Sequence, residues 1–160
     1  MAANEELRQQ LADFLTWNSA HADFDSVVKG VPPRLRGRVP KGFAHSLWQL
    51  IEHMRIAQAD ILDFCVNPRY EHTMKWPDDY WPKAPAPKNS AAWNGSIAAF
   101  KRDLKAMQRL AMNPRIDLFA KIPHGSSQTY LREVLLVGDH NAHHLAQLID
   151  IRRALGIWRK

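Results

Sequence analysis

The chain has 160 residues, a length that suits one domain able to bury about 70% of the surface its unfolded form exposes. Its single cysteine, Cys65, excludes an internal disulfide and any Cys-rich zinc site, and a lone thiol fits a reducing, cytoplasmic compartment. The net charge of +6 gathers at Arg34, Arg36, Arg38 and Lys41 and again at Arg152, Arg153, Arg159 and Lys160, where the simpler reading is a solvated loop and a helix C-terminus rather than an anion site.

The opening run Met1-Ala-Ala-Asn-Glu-Glu-Leu-Arg lacks a basic stretch followed by an apolar one, so no secretory signal is expected. A first helix is expected over residues 4–28, with Leu7, Leu11, Phe14, Leu15 and Ala22 on one face and Asn4 as N-cap. Gly30, Pro32 and Pro33 end it. The basic segment that follows carries no nucleic-acid-reading motif, so nucleic acid is not an expected partner. A second helix is expected over 44–66, where Leu47, Leu50, Ile51, Met54, Ala57, Ile61, Leu62 and Cys65 recur at three- and four-residue steps and Pro68 closes the run. Cys65 falls among the apolar positions and reads as a buried, inert thiol.

Residues 67–89 form a long connection with five prolines and with Tyr70, Trp76, Tyr80 and Trp81. Connections of this length in compact domains are often functional. Trp76, Tyr80 and Trp81, interleaved with Pro77 and Pro82, form either a stiff aromatic lid over a pocket or simply a cover for the end of the fold. A third helix is expected over 90–112, with Ile97, Phe100, Leu104, Met107 and Leu110 inward. A fourth is expected over 127–155, with Gly156 as its C′ residue. The longest aliphatic run, 134–137, falls far short of the roughly 18 apolar residues of a membrane span. The expected fold is all-α, a single four-helix-bundle domain over 1–160 with long Pro-rich loops between helices one and two and between helices two and three.

Eight histidines raise the question of which can converge. At about 100° per residue, with His140 at zero, Val137, Leu148, Val134, Leu145 and Leu131 fill an arc from about 60° to 180°. His144, at about 40°, lies within the apolar side and His140 at its border, so two imidazoles face inward about 6 Å apart. His143 and Gln147 fall in the polar sector. On the second helix His53 borders the apolar arc, and Ser46, Gln49 and Asp60 share its meridian, which makes Gln49 and Asp60 candidates to line the same cavity with Trp76 and Trp81. His45, Glu52 and Asp63 are expected in solvent, and His21 lies at the margin of the first stripe. Three histidines at buried borders are costly if unpaired, and a shared metal ion would satisfy all three. The competing reading is a set of ordinary hydrogen bonds across the bundle.

The stretch His140-Asn-Ala-His-His144-Leu-Ala-Gln-Leu-Ile-Asp-Ile-Arg-Arg-Ala-Leu-Gly-Ile-Trp158 resembles the last helix of the DinB-like family, whose pattern is His-x-x-x-His followed by Gln and a Leu-Gly end. The segment His45-Ser-Leu-Trp-Gln-Leu-Ile-Glu-His53-Met resembles that family's second helix, where a histidine near the middle supplies a third ligand. The resemblance implies a three-histidine site for a divalent transition metal, zinc or nickel first and iron or copper also accommodated. It further implies a metal-dependent enzyme acting on a small molecule, such as a low-molecular-weight thiol, and a homodimer. The alternative is a non-catalytic bundle whose metal only ties two helices together.

Overall fold

The computed structural model describes residues 2–16 and 20–158. Among them are five α-helices, α1 (Ala2–Phe14), α2 (Phe24–Val28), α3 (Leu47–Val66), α4 (Ser90–Met112) and α5 (Tyr130–Ala154), and two 3-10 turns at Pro33–Leu35 and Asp78–Tyr80. The described residues contain no β-strand, only an isolated antiparallel bridge between Lys121 and Thr129. The all-α expectation therefore holds. No described helix is long and apolar enough to cross a membrane.

The first helix is shorter than its periodicity suggests. α1 begins at Ala2, so Asn4 lies inside it rather than capping it, and it closes at Phe14 in a turn where Leu15 N–H reaches Leu11 O and Thr16 N–H reaches Asp13 O. The chain restarts at α2, where Asp23 accepts from Ser26 N–H at 2.8 Å as an N-cap. A capping aspartate in the middle of a ragged apolar stripe is what splits the expected single helix. Residues 17–19 of that expectation, and Arg159 and Lys160 of the basic cluster, lie outside the described residues.

α3 is the central element, packed against both α4 and α5, while α1 lies on α4. Its inner face buries Leu47, Leu50, Ile51, Met54 and Ala57 against Phe100 and Met107 of α4 and Val134, Val137, Leu148 and Ile151 of α5. Each fully buried side chain of this kind contributes about 1.5–3 kcal/mol. The two remaining contacts of the frame are made by unexpected residues. Gly138, inside α5, lets Phe14 come so close that an added Cβ would stand 2.0 Å from the ring. Arg152, read from sequence as a helix C-terminal cation, lies in the last turn of α5 but is buried, and its guanidinium donates to the carbonyls of Ser26, Val27, Lys29 and Ile157, pinning α2 and the C-terminal turn to α5.

The basic loop is likewise structural in part. Arg36 donates to Val31 O and Ser90 Oγ and lies 4.7 Å over the Trp93 ring. At α5's end Gly156 has φ of +71°, the left-handed geometry expected of a C′ glycine.

Candidate metal centre

The site is built on α3 and α5. α3 opens with a capping box: Ser46 Oγ accepts from Gln49 N–H, and Gln49 Oε1 accepts from Ser46 N–H, each at 3.1 Å. This fixes the start of the helix and places His53 two turns in, 1% exposed, on the side facing α5. On α5, His144 is buried and His140 half-buried, one turn apart. The three ring centroids form a near-regular triangle with sides of 4.9 Å (His53–His140), 4.6 Å (His53–His144) and 4.5 Å (His140–His144).

Each of the three offers one ligand nitrogen, and these nitrogens all lie within 4.8 Å of one another. The outward hydrogen bonds decide which nitrogen faces in. His53 donates Nδ1–H to Tyr80 O at 3.0 Å, and His144 donates Nδ1–H to Gln147 Oε1 at 2.7 Å, so in both rings the Nε2 lone pair is free. His53 Nε2 and His140 Nε2 are 3.0 Å apart. With metal–imidazole bonds of about 2.0–2.1 Å, two nitrogens on one ion stand roughly 3 Å apart. The donor set and its spacing therefore fit a divalent transition metal held by His53, His140 and His144.

Electrostatics favour the neutral rings that ligation requires. Burial lowers His53, and the charge of His45 adds to this, while the Tyr80 carbonyl opposes it. Burial, reinforced by His144 and His53, pushes His140 down to about 3. Burial also takes His144 down to about 4, against the opposing hydrogen bond that it donates to Gln147. All three therefore present lone pairs at neutral pH.

The 67–89 connection walls this group on one side. Trp81 stacks on His53 at 3.9 Å with the planes 1° apart, and His45 stacks on the other face of the same indole at 3.8 Å. Trp81 also meets His144 edge-on at 6.0 Å. Trp76 is 68% exposed, with its ring 6.4 Å from His53. Gln49, besides capping α3, donates Nε2–H to Pro82 O at 3.3 Å, and Ser46 Oγ donates to Pro85 O. The Asp60 carboxylate accepts from the hydroxyls of Tyr70 and Tyr80.

Several sequence expectations change here. His45 is half-buried against Trp81 because it precedes the helix, where wheel angles no longer apply. Glu52 is also half-buried, paired with Arg55 at 2.8 Å, while Asp63 and His143 are exposed as expected. Gln147, placed by periodicity in the polar sector, is half-buried and holds His144, and its Nε2–H donates to His143 Nε2 at 3.1 Å. Its i, i+3 spacing from His144 is the signal that could have found it. The Tyr80 carbonyl is a backbone group and leaves no residue-type signal. His21 is exposed on the rim of a separate cavity of about 510 Å³, to which none of the three histidines contributes. Cys65 is buried and free, its thiol pushed up to about 12 by burial and by Glu133, as an inert thiol should be.

No curated protein and no solved structure matches the chain. The family model of the DinB superfamily matches residues 16–148, a span that contains all three histidines, and the chain belongs to that superfamily.

Proposed function

We propose that this protein is a metal-dependent enzyme of the DinB superfamily, a single four-helix-bundle domain of α1, α3, α4 and α5, in which His53, His140 and His144 hold one zinc or nickel ion. Iron and copper are chemically compatible with the same ligands. The observation that carries the reading is the convergence of three neutral imidazoles, two of which, His53 and His144, have their outward protons engaged by Tyr80 O and Gln147 Oε1. Once bound, such an ion lowers the pKa of a water or thiol in its open coordination position.

The chain's own residues do the rest. His53 and His144 are fixed in the ligating tautomer, Trp81 covers one face of His53, and the exposed Trp76 offers an apolar wall to an entering molecule. The substrate class that this reading takes is a small molecule, such as a low-molecular-weight thiol, presented to a centre lined by Trp76 and Trp81. Trp81→Ala tests the lid: in variant protein that is folded and metal-loaded, turnover should fall, and unchanged turnover would remove it.

The deep burial of His53 favours a second reading, a metal that only ties α3 to α5. Elemental mass spectrometry of the untagged protein beside a folded His140→Ala/His144→Ala variant tests the site itself. Near-stoichiometric metal lost in the variant supports it, and equal or absent metal in both, even after reconstitution, reduces the histidines to packing. A thiol-transfer screen, and exchange of the non-protein ligand, then separate catalysis from a structural ion.

A further inference from the structure

We infer that Asp60 is a positioning residue of the metal centre, clamping the 67–89 connection so that Tyr80 presents its carbonyl to His53. The inference rests on the metal reading above.

Asp60 lies seven residues after His53 on α3, two turns along and on nearly the same face, about 10 Å away. Tyr80 spans that interval with both of its ends tied. Its hydroxyl donates to Asp60 Oδ2 at 2.5 Å, and its backbone carbonyl accepts His53 Nδ1–H at 3.0 Å. The side chain between them is 6% exposed, so the strut is packed as well as bonded. Asp60 Oδ1 takes a second phenol, Tyr70, at 2.9 Å, and Tyr70 Oη is in turn 2.8 Å from His72 Nδ1. One carboxylate thus gathers two separate points of a proline-rich loop onto the helix that carries His53.

The chemistry suits this role. An ionised carboxylate is an acceptor only, so it can take two hydroxyl donors at once, and hydrogen bonds to a charged oxygen are about twice as strong as neutral ones. Burial and the Asp60 carboxylate raise both phenols, which therefore stay protonated and keep donating. Downstream, the Tyr80 carbonyl selects the His53 tautomer that leaves Nε2 to the ion, and Trp81, the next residue, is set against the His53 ring. Asp60 itself reaches His53 only through the loop that it holds, with Tyr80 as the direct link.

The test uses zinc ion alone, titrated against a chromophoric chelator, with wild type, Asp60→Ala and Tyr80→Phe. Each is held well below its own unfolding temperature and checked by circular dichroism. Tyr80→Phe removes one oxygen, keeps the ring and the carbonyl, and decides the question if Asp60→Ala does not fold. We expect both variants to bind about 10-fold more weakly or worse, the double variant to be no weaker than the poorer single, and the His53 Nδ1 proton, slow to exchange in wild type by NMR, to exchange fast in both. Folded variants with wild-type affinity and a protected Nδ1 proton would overturn the inference and leave the metal reading intact, since a purely structural clamp lowers the unfolding temperature alone. Wild-type protein that takes up no zinc overturns both.

Discussion

Two polar clusters lie between α3 and its neighbours, close in space and different in kind. Gln58 and Asn141 form an amide ladder: Asn141 Nδ2–H donates to Gln58 Oε1 at 2.9 Å, and Gln58 Nε2–H donates to Phe100 O at 2.7 Å. Both side chains are almost fully buried. Amides carry donors and acceptors together, so the ladder is satisfied largely from within. The histidines are not. The Nδ1 protons of His53 and His144 point outward, which turns their Nε2 acceptors inward, and without a cation His140 must carry its proton on Nε2 and aim it at His53 to hold the 3.0 Å contact. The difference separates a polar cluster that specifies packing from one that is completed by something outside the chain.

Adding and removing the ion should break the comparison most visibly. At a free metal concentration 100 times its dissociation constant, binding to the folded state alone stabilises by about 2.7 kcal/mol. Chemical denaturation of wild type should shift accordingly between chelator and zinc, and the His140→Ala/His144→Ala variant should show no shift. The amide ladder responds to a different change. Gln58→Ala leaves Asn141 Nδ2 buried without its acceptor and removes the bond that Phe100 O takes beyond its own helix, so we expect a loss of about 1–3 kcal/mol in urea unfolding, with metal content unchanged. A loss of metal in that variant would merge the two clusters into one network.

Acid sharpens the contrast more gently. His140 and His144 titrate near 6.5 when unfolded but at about 3 and about 4 when folded, so the unfolded chain binds more protons as pH falls below 6.5. The sign follows: their contribution is present above pH 6.5 and is lost as pH falls through the folded values. Metal-free wild type should therefore weaken on acidification more steeply than the double-alanine variant in a urea series from pH 8 to 5. Parallel curves would mean that these two rings are not held neutral by the fold.

Much of this frame could be read from periodicity, and the gaps have identifiable causes. The expected third helix coincides with Ser90–Met112, because its stripe is unbroken and Asn89 caps it by accepting from Ala92 N–H. The starts of α3 and α5 fall three residues later than expected, at positions set by the caps Ser46 and Thr129 rather than by apolar spacing. The α1–α2 break was invisible to a wheel that tolerates a ragged face. At the site, the helix angles brought His53, His140 and His144 to one place. They could not bring the Tyr80 carbonyl, His45 or Trp81, since a loop has no period from which to compute a direction.

The indole of Trp81, held between His45 and His53, turns that loop into an optical reporter. A paramagnetic ion such as copper, bound by a ring in van der Waals contact with this indole, should quench its emission, whereas zinc should change only its polarity. The chain has six tryptophans, so the difference spectrum between wild type and Trp81→Phe isolates the signal. Occupancy of the centre, and any movement of the connection that covers it, can then be followed by light without knowing the substrate.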